Sequence, residues 1–180
     1  SQVEVFGGRA PAGSGGGLKI MSGVQLTMTN CKVHGNEAEY GGGIVNHGDL
    51  VLNNSVVYDN EALQGGGIYN GNEGNASSGT EYPTGRRLQQ SWADTHLTAN
   101  LTFINSTLRS NTASVPNWSG DDGAVTPRGG GLFNSDGTMV FLRGSVIKDN
   151  HVIPNGYEGG EEYWSTSSGT YVLPLPLGMY

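Results

Sequence analysis

The sequence predicts an all-β solenoid, with about four to five stacked coils of parallel strands and loop inserts. Three observations lead there. An eight-residue segment recurs without gaps at 31–38, 55–62, 106–113 and 145–152. A short run of alternating apolar residues precedes each copy. A glycine triplet precedes each run, at 15–17, 41–43, 65–67 and 129–131.

The triplets Gly41-Gly42-Gly43, Gly65-Gly66-Gly67 and Gly129-Gly130-Gly131, with the earlier one at 15–17, read as corners. A sharp corner close to the next coil leaves no room for Cβ. A phosphate-cradling loop is excluded, because the strand–loop–helix context and its lysine are missing. Each triplet leads into an aliphatic residue, Leu18, Ile44, Ile68 or Leu132, expected in the interior.

The alternating runs at 24–30, 49–54, 100–105 and 139–144 read as strands with one buried face. Gapless alignment assigns Leu26, Met28, Leu50, Leu52, Leu101, Phe103, Val140 and Leu142 inward. In the eight-residue segment, position one is small (Cys31, Ser55, Ser106, Ser145) and position three aliphatic (Val33, Val57, Leu108, Ile147). Position six is always asparagine: Asn36, Asn60, Asn111 and Asn150. These asparagines are expected to form a ladder, each amide bonding the turn above or below. They are also expected to take the left-handed backbone of the corner. The repeating unit then contains three short strands, each pairing with its equivalent one coil away at about 4.8 Å.

The pairing of "GGGI" or "GGGL" with "VHGN", "VYDN", "LRSN" and "IKDN" resembles the GGxI/FxxN repeat of the chlamydial polymorphic membrane proteins. Similar repeats occur in large surface proteins of protists and algae. No copy here has the phenylalanine of that motif. The resemblance covers residues 15–152 apart from inserts. It implies a right-handed, single-stranded parallel β-helix at a cell surface, often within an adhesin. The right hand also follows the general rule for parallel crossovers.

Domain organisation follows from the spacing of the triplets, 26, 24 and then 64 residues. The β-helix is assigned to residues 1–153, with inserts at about 71–98 and 114–128. Residues 154–180 are assigned to an irregular cap, linker or docking tail, in which Pro174 and Pro176 favour extended chain. The start at Ser1 and the open ends suggest a piece of a larger protein. Outward positions of the alternating strands include Val51, Ile104 and Phe141. Stacked apolar residues there imply an interface, covered by the first insert or another subunit. Trp92 and Trp118, in the two inserts, are candidates for the same interface.

Composition narrows the function. Glycine accounts for 31 of 180 residues, and the net charge is −7. No basic stripe surrounds Arg86-Arg87, which argues against nucleic acid. No apolar run approaches the roughly 20 residues of a membrane span. One cysteine, Cys31, rules out an internal disulfide framework and suits a small, buried, stacked position.

Catalysis is not expected. Parallel β-helices include polysaccharide lyases and hydrolases, but the nearest carboxylate pair, Asp121-Asp122, sits on a loop and is not preorganised. No cofactor or metal is expected, because His34, His47, His96 and His151 lack ligand spacing. The acidic loops at 119–123 and 155–163 match no calcium motif. Five N-x-[ST] sequons start at Asn53, Asn75, Asn100, Asn105 and Asn117. Asn75 and Asn117 lie in inserts, where a glycan fits, and Asn53 and Asn100 are further candidates. Asn105 shares a corner column with Asn30 and Asn54, and is expected to be inward or stacked, a poor acceptor.

The expected function is an extracellular or cell-surface structural or adhesive module, with protein partners or self-assembly and surface glycans as contacts. The alternative is a carbohydrate-binding or polysaccharide-cleaving β-helix. Ice binding ranks lower, because the outward threonines do not form a regular array.

Overall fold

The computed structural model describes residues 2–71, 99–115, 127–135, 138–142, 144–153 and 171–172. A half-repeat comes first, formed by β1 (Val3–Phe6) and β2 (Arg9–Ser14). The first full repeat holds β3 (Leu18–Ile20), β4 (Gln25–Thr29), β5 (Cys31–His34) and β6 (Glu37–Tyr40). The second holds β7 (Ile44–Asn46), β8 (Asp49–Asn53), β9 (Val56–Tyr58) and β10 (Glu61–Gln64). The third holds β11 (Ile68–Asn70), β12 (Asn100–Ile104), β13 (Thr107–Arg109) and β14 (Thr112–Ala113). The fourth holds β15 (Leu132–Asn134), β16 (Thr138–Leu142), β17 (Val146–Lys148) and β18 (His151–Val152). The last described strand is β19 (Tyr171–Val172).

Each strand from β1 to β18 pairs in parallel with its equivalent in the neighbouring repeat, giving four sheets. Their orders are β3-β7-β11-β15, β4-β8-β12-β16, β1-β5-β9-β13-β17-β19 and β2-β6-β10-β14-β18. The molecule is therefore all-β, parallel and built from repeats. Among the described residues, no helix is long and apolar enough to cross a membrane.

Four sheets replace the expected three strands per repeat. The additional strand carries "EAEY", "EALQ" or "TA". Glutamate and alanine are poor strand formers, so the sequence pattern hides it. Pairing to both neighbours forms it nonetheless: Ala62 lies opposite both Ala38 and Ala113.

The register stacks like on like. Leu18, Ile44, Ile68 and Leu132 form one column, and Leu26, Leu50 and Leu101 another. Val33, Val57, Leu108 and Ile147 form a third. Together with Met28, Leu52 and Phe103 they make one interior core. Each fully buried side chain of this size contributes roughly 1.5 to 3 kcal/mol. Burial falls off at the ends, where Leu18, Leu26, Leu132 and Ile147 are only partly covered.

The fourth repeat corrects the expected outward column. Phe141 pairs with Phe103, Val140 with Thr102 and Leu142 with Ile104. Phe141 thus holds the register position of the interior column Met28, Leu52 and Phe103, not that of Thr102. Met139, opposite Leu101, takes the place expected for Val140. The cause is one additional residue. Three residues separate Phe141 from Ser145, against two between Phe103 and Ser106. Counting back from the serine without a gap shifts the strand by one, which exchanges its faces.

A second apolar cluster lies on the other face of the β3-β7-β11-β15 sheet. It contains Tyr40, Val45 and Tyr69, with Phe133 packed against them. Val45 and Tyr69 are fully buried. Tyr69 meets Tyr40 edge-on at 5.9 Å and His47 at 6.3 Å. The repeat is thus apolar on both faces of this sheet, although only the inner face was expected to be so.

At the last repeat, β19 runs antiparallel to β17, with Val172 opposite Val146. It covers part of the free edge of that sheet. The rest of 154–180, the assigned inserts apart from 71, 114–115 and 127–128, and Trp92, Trp118, Asn75, Asn117 and Asp121-Asp122 lie outside the described residues.

The outer face of the β1-β5 pair carries an ion pair, Lys32 Nζ to Glu4 Oε1 at 2.9 Å. The hydrogen bond from Lys32, and then its charge, hold the Glu4 carboxyl below the usual carboxylate range. The stabilisation is present above the unfolded pKa of Glu4 and is lost as pH falls through the lower folded value. Lys32 is raised for the mirror-image reason, so its share is lost only as pH rises through its folded value. In an NMR titration, Lys32→Ala should return Glu4 to an ordinary midpoint. An unchanged midpoint would show that the pair does not form.

Candidate functional site

Among the described residues, a polar ladder runs through the interior. Asn36, Asn60, Asn111 and Asn150 are all buried. Asn36 Nδ2 donates to Asn60 Oδ1, Asn60 Nδ2 to Asn111 Oδ1, and Asn111 Nδ2 to Asn150 Oδ1, each at 2.9 Å. Each acceptor also takes a backbone N–H from the repeat before it: Asn36 N to Asn60 Oδ1 at 3.1 Å, Asn60 N to Asn111 Oδ1 at 3.1 Å and Asn111 N to Asn150 Oδ1 at 3.0 Å. The half-repeat supplies the first such donor, Gly8 N to Asn36 Oδ1 at 2.9 Å. The Nδ2 of Asn36, Asn60 and Asn111 also donates to the carbonyl of Val5, Val33 or Val57, and that of Asn150 donates to the Leu108 carbonyl. Buried amides must be satisfied, and here both ends of the side chain are used.

These asparagines do not carry the left-handed backbone. The residue just before each one does: Gly35 (φ 61°), Asp59 (52°), Ser110 (54°) and Asp149 (51°). The asparagine is needed for its amide, and its neighbour makes the turn.

A second ladder runs through the asparagine that stands three residues after the second, third and fourth glycine triplets. Asn46 Nδ2 donates to Asn70 Oδ1 and Asn70 Nδ2 to Asn134 Oδ1, both at 2.8 Å. Its signal was present in the repeated "GGGIVN" and "GGGIYN", where the third residue after the triplet is Asn, as it is after 129–131. In the first repeat Ile20 holds that register position, so the ladder begins at Asn46.

A third ladder uses hydroxyls. Cys31 N donates to Ser55 Oγ at 3.1 Å, Ser55 N to Ser106 Oγ at 3.1 Å and Ser106 N to Ser145 Oγ at 3.4 Å. Ser106 Oγ itself donates to the Ile104 carbonyl at 2.9 Å. Ser106→Ala removes one acceptor and one donor at a buried site. It should lower stability by roughly 1 to 3 kcal/mol in denaturant melts. A change within a few tenths would mean that the hydroxyl column is ornamental. Cys31 stands at the head of this column, buried, with its thiol toward the Thr29 carbonyl at 3.3 Å.

The glycine corners bring backbones together. Gly41 N, Gly42 N and Gly43 N donate to carbonyls of Gln64, Gly65, Gly66 and Gly67. Those of Gly65, Gly66 and Gly67 donate to Arg128, Gly129, Gly130 and Gly131. A Cβ on Gly66 would overlap the carbonyl oxygens of Thr112 and Gly130.

The outer surface holds a different column. Phe6, His34 and Tyr58 stack at 5.5 and 4.7 Å, and the Arg109 guanidinium lies over Tyr58 at 4.7 Å. The rings face one another along the stack, and Phe6 at its end is exposed. Of the candidate interface residues, Val51 and Ile104 are half-buried on β8 and β12.

Three sequons fall within the described residues. Asn53 is half-buried, and the hydroxyl of its Ser55 is buried against the Met28 and Asn53 carbonyls. Asn100 is exposed, but its Nδ2 donates to Asp49 Oδ1 at 2.6 Å. Asn105 corrects the expectation of an inward or stacked amide. It is exposed, at a left-handed corner (φ 48°) shared by Asn30 (56°), Asn54 (48°) and Gly144 (68°). The left-handed turn directs this column to the surface, while the serine after it goes in. Among the described residues, no group of three or more His, Cys, Asp or Glu side chains is placed to hold a metal ion.

No family model matches this chain, and no match to it is found among the curated proteins or the solved structures.

Proposed function

We propose that the chain is a right-handed, single-stranded parallel β-helix that serves as a structural or adhesive module at a cell surface or outside the cell. One observation carries this reading. Three side-chain ladders cross from repeat to repeat inside the stack, alongside the backbone ladders of four sheets. Such an arrangement resists bending and shear, because every repeat is bonded to its neighbours at several corners. The polar groups that are most carefully satisfied face inward and serve stiffness. Function then lies in length, rigidity and whatever the outer faces and inserts contact. The right hand rests on the crossover rule, and the surface location on the likeness of the repeats to those of surface proteins.

The test is membrane-impermeant amine labelling of intact source cells, followed by crosslinking of the native chain. Labelling of exposed Lys19 before lysis, and crosslinks to another polypeptide, are expected. A chain labelled only after lysis, and recovered as a lone monomer, would rule the reading out.

A further inference from the structure

From the geometry of its corner, we infer that Asn105 is an N-glycan attachment site; this rests on the extracellular reading above. The sequon is Asn105-Ser106-Thr107. Glycosylation needs an accessible amide nitrogen and a hydroxyl two residues on, in a folded product that leaves room for the sugar.

Three features of the corner meet these needs together. Asn105 is exposed, and its side chain makes no hydrogen bond to other described residues. Its sequon partner Thr107 lies on β13 facing outward, half-buried between Val56 and Val146. Next to it in the column stands Gly144, where a Cβ would come to 3.0 Å from Asn105 Oδ1. With glycine there, no Cβ of residue 144 presses on the amide. The inner residue, Ser106, supplies the ladder and is buried, so the chain is held firmly just beside the attachment point.

The other described sequons fall short on one count each. At Asn53 the required hydroxyl, Ser55 Oγ, is inside the third ladder. At Asn100 the nitrogen is bonded to Asp49. Asn30 and Asn54 share the exposed corner but are not sequons, since Lys32 and Val56 stand two residues on.

The transfer balances simply. Asn105 Nδ2 attacks C1 of a sugar carried on a lipid diphosphate. A C1–N bond forms, the C1–O bond breaks, the lipid diphosphate leaves, and one amide proton passes to a base of the transferase.

The experiment directs the full chain through a eukaryotic secretory pathway. The secreted protein is treated with peptide N-glycosidase in heavy-oxygen water, which converts each occupied asparagine to labelled aspartate, and peptides are mapped by mass spectrometry. Label at Asn105 is expected. A secreted chain with Asn105 unlabelled overturns the inference, whatever happens at Asn53 and Asn100, and leaves the surface-labelling test of location untouched. Thr107→Val keeps a β-branched residue between two valines and should fold. It should abolish label at Asn105 and leave other sequons unchanged. Label that persists in T107V would point to deamidation, and would also overturn the inference.

Discussion

Asn60→Ala should remove about 3 to 5 kcal/mol of stability, measured by denaturant unfolding. The substitution touches three repeats at once. Asn36 N loses its acceptor, and Asn36 Nδ2 keeps only the Val5 carbonyl. Val33 O and Asn111 Oδ1 each lose a donor. All of this happens at 1% exposure, where water cannot substitute. A domain of this size has only about 5 to 15 kcal/mol in total, so the variant should sit near its folding threshold. A loss below about 1 kcal/mol would mean that water enters the stack and replaces the amide. Asn60→Asp makes the sharper test. An ionised carboxylate would set one oxygen against Asn111 Oδ1, whereas a protonated one can still donate. Burial raises the pKa of such a carboxyl. N60D should therefore gain stability as pH falls, the reverse of the Glu4–Lys32 pair, and a flat or opposite pH profile would count against a through-stack donor.

Gly66→Ala should cost about 4 kcal/mol or abolish soluble expression. Its new methyl group would collide with backbone oxygens on two sides, Thr112 and Gly130, and neither can swing away as a side chain would. The control is Gly35→Ala. Gly35 has φ +61° and open space around its Cβ position. That change carries only the left-handed penalty, about 1 to 2 kcal/mol. Calorimetry should place G66A well below G35A. Equal losses would mean that the close approach of neighbouring repeats is relaxed in solution.

Much of this architecture was readable because solenoid columns repeat the same residue. Asn36, Asn60, Asn111 and Asn150 align by eye, and the structure stacks them. What escaped the sequence has physical causes. The fourth sheet is built on alanine and glutamate, whose strand preference is weak and is overridden by pairing on both sides. The left-handed residue was placed one position late, because asparagine is the usual suspect and Asp59, Ser110 and Asp149 serve as well. Phe141 was misplaced by a single additional residue before Ser145, which a gapless alignment cannot register. The buried outer column of Val45 and Tyr69 carries no inward signal in a period-two pattern. The exposure of Asn105 depended on the sign of one backbone angle.

The ladders also have a sense. In the Asn36–Asn150 column, the three amide-to-amide bonds all run from an Nδ2 to an Oδ1 of the later repeat. The corner amides of Gly41, Gly42 and Gly43, and of Gly65, Gly66 and Gly67, point the same way. Aligned amide dipoles add head to tail, and each polarises the next. The amide ladder and the corner bonds therefore share one direction, although other backbone N–H groups, such as those of Glu61 and Thr112, donate toward the earlier repeat. Each repeat added at either end would extend these directed columns by one bond, and a reversed repeat would not match them.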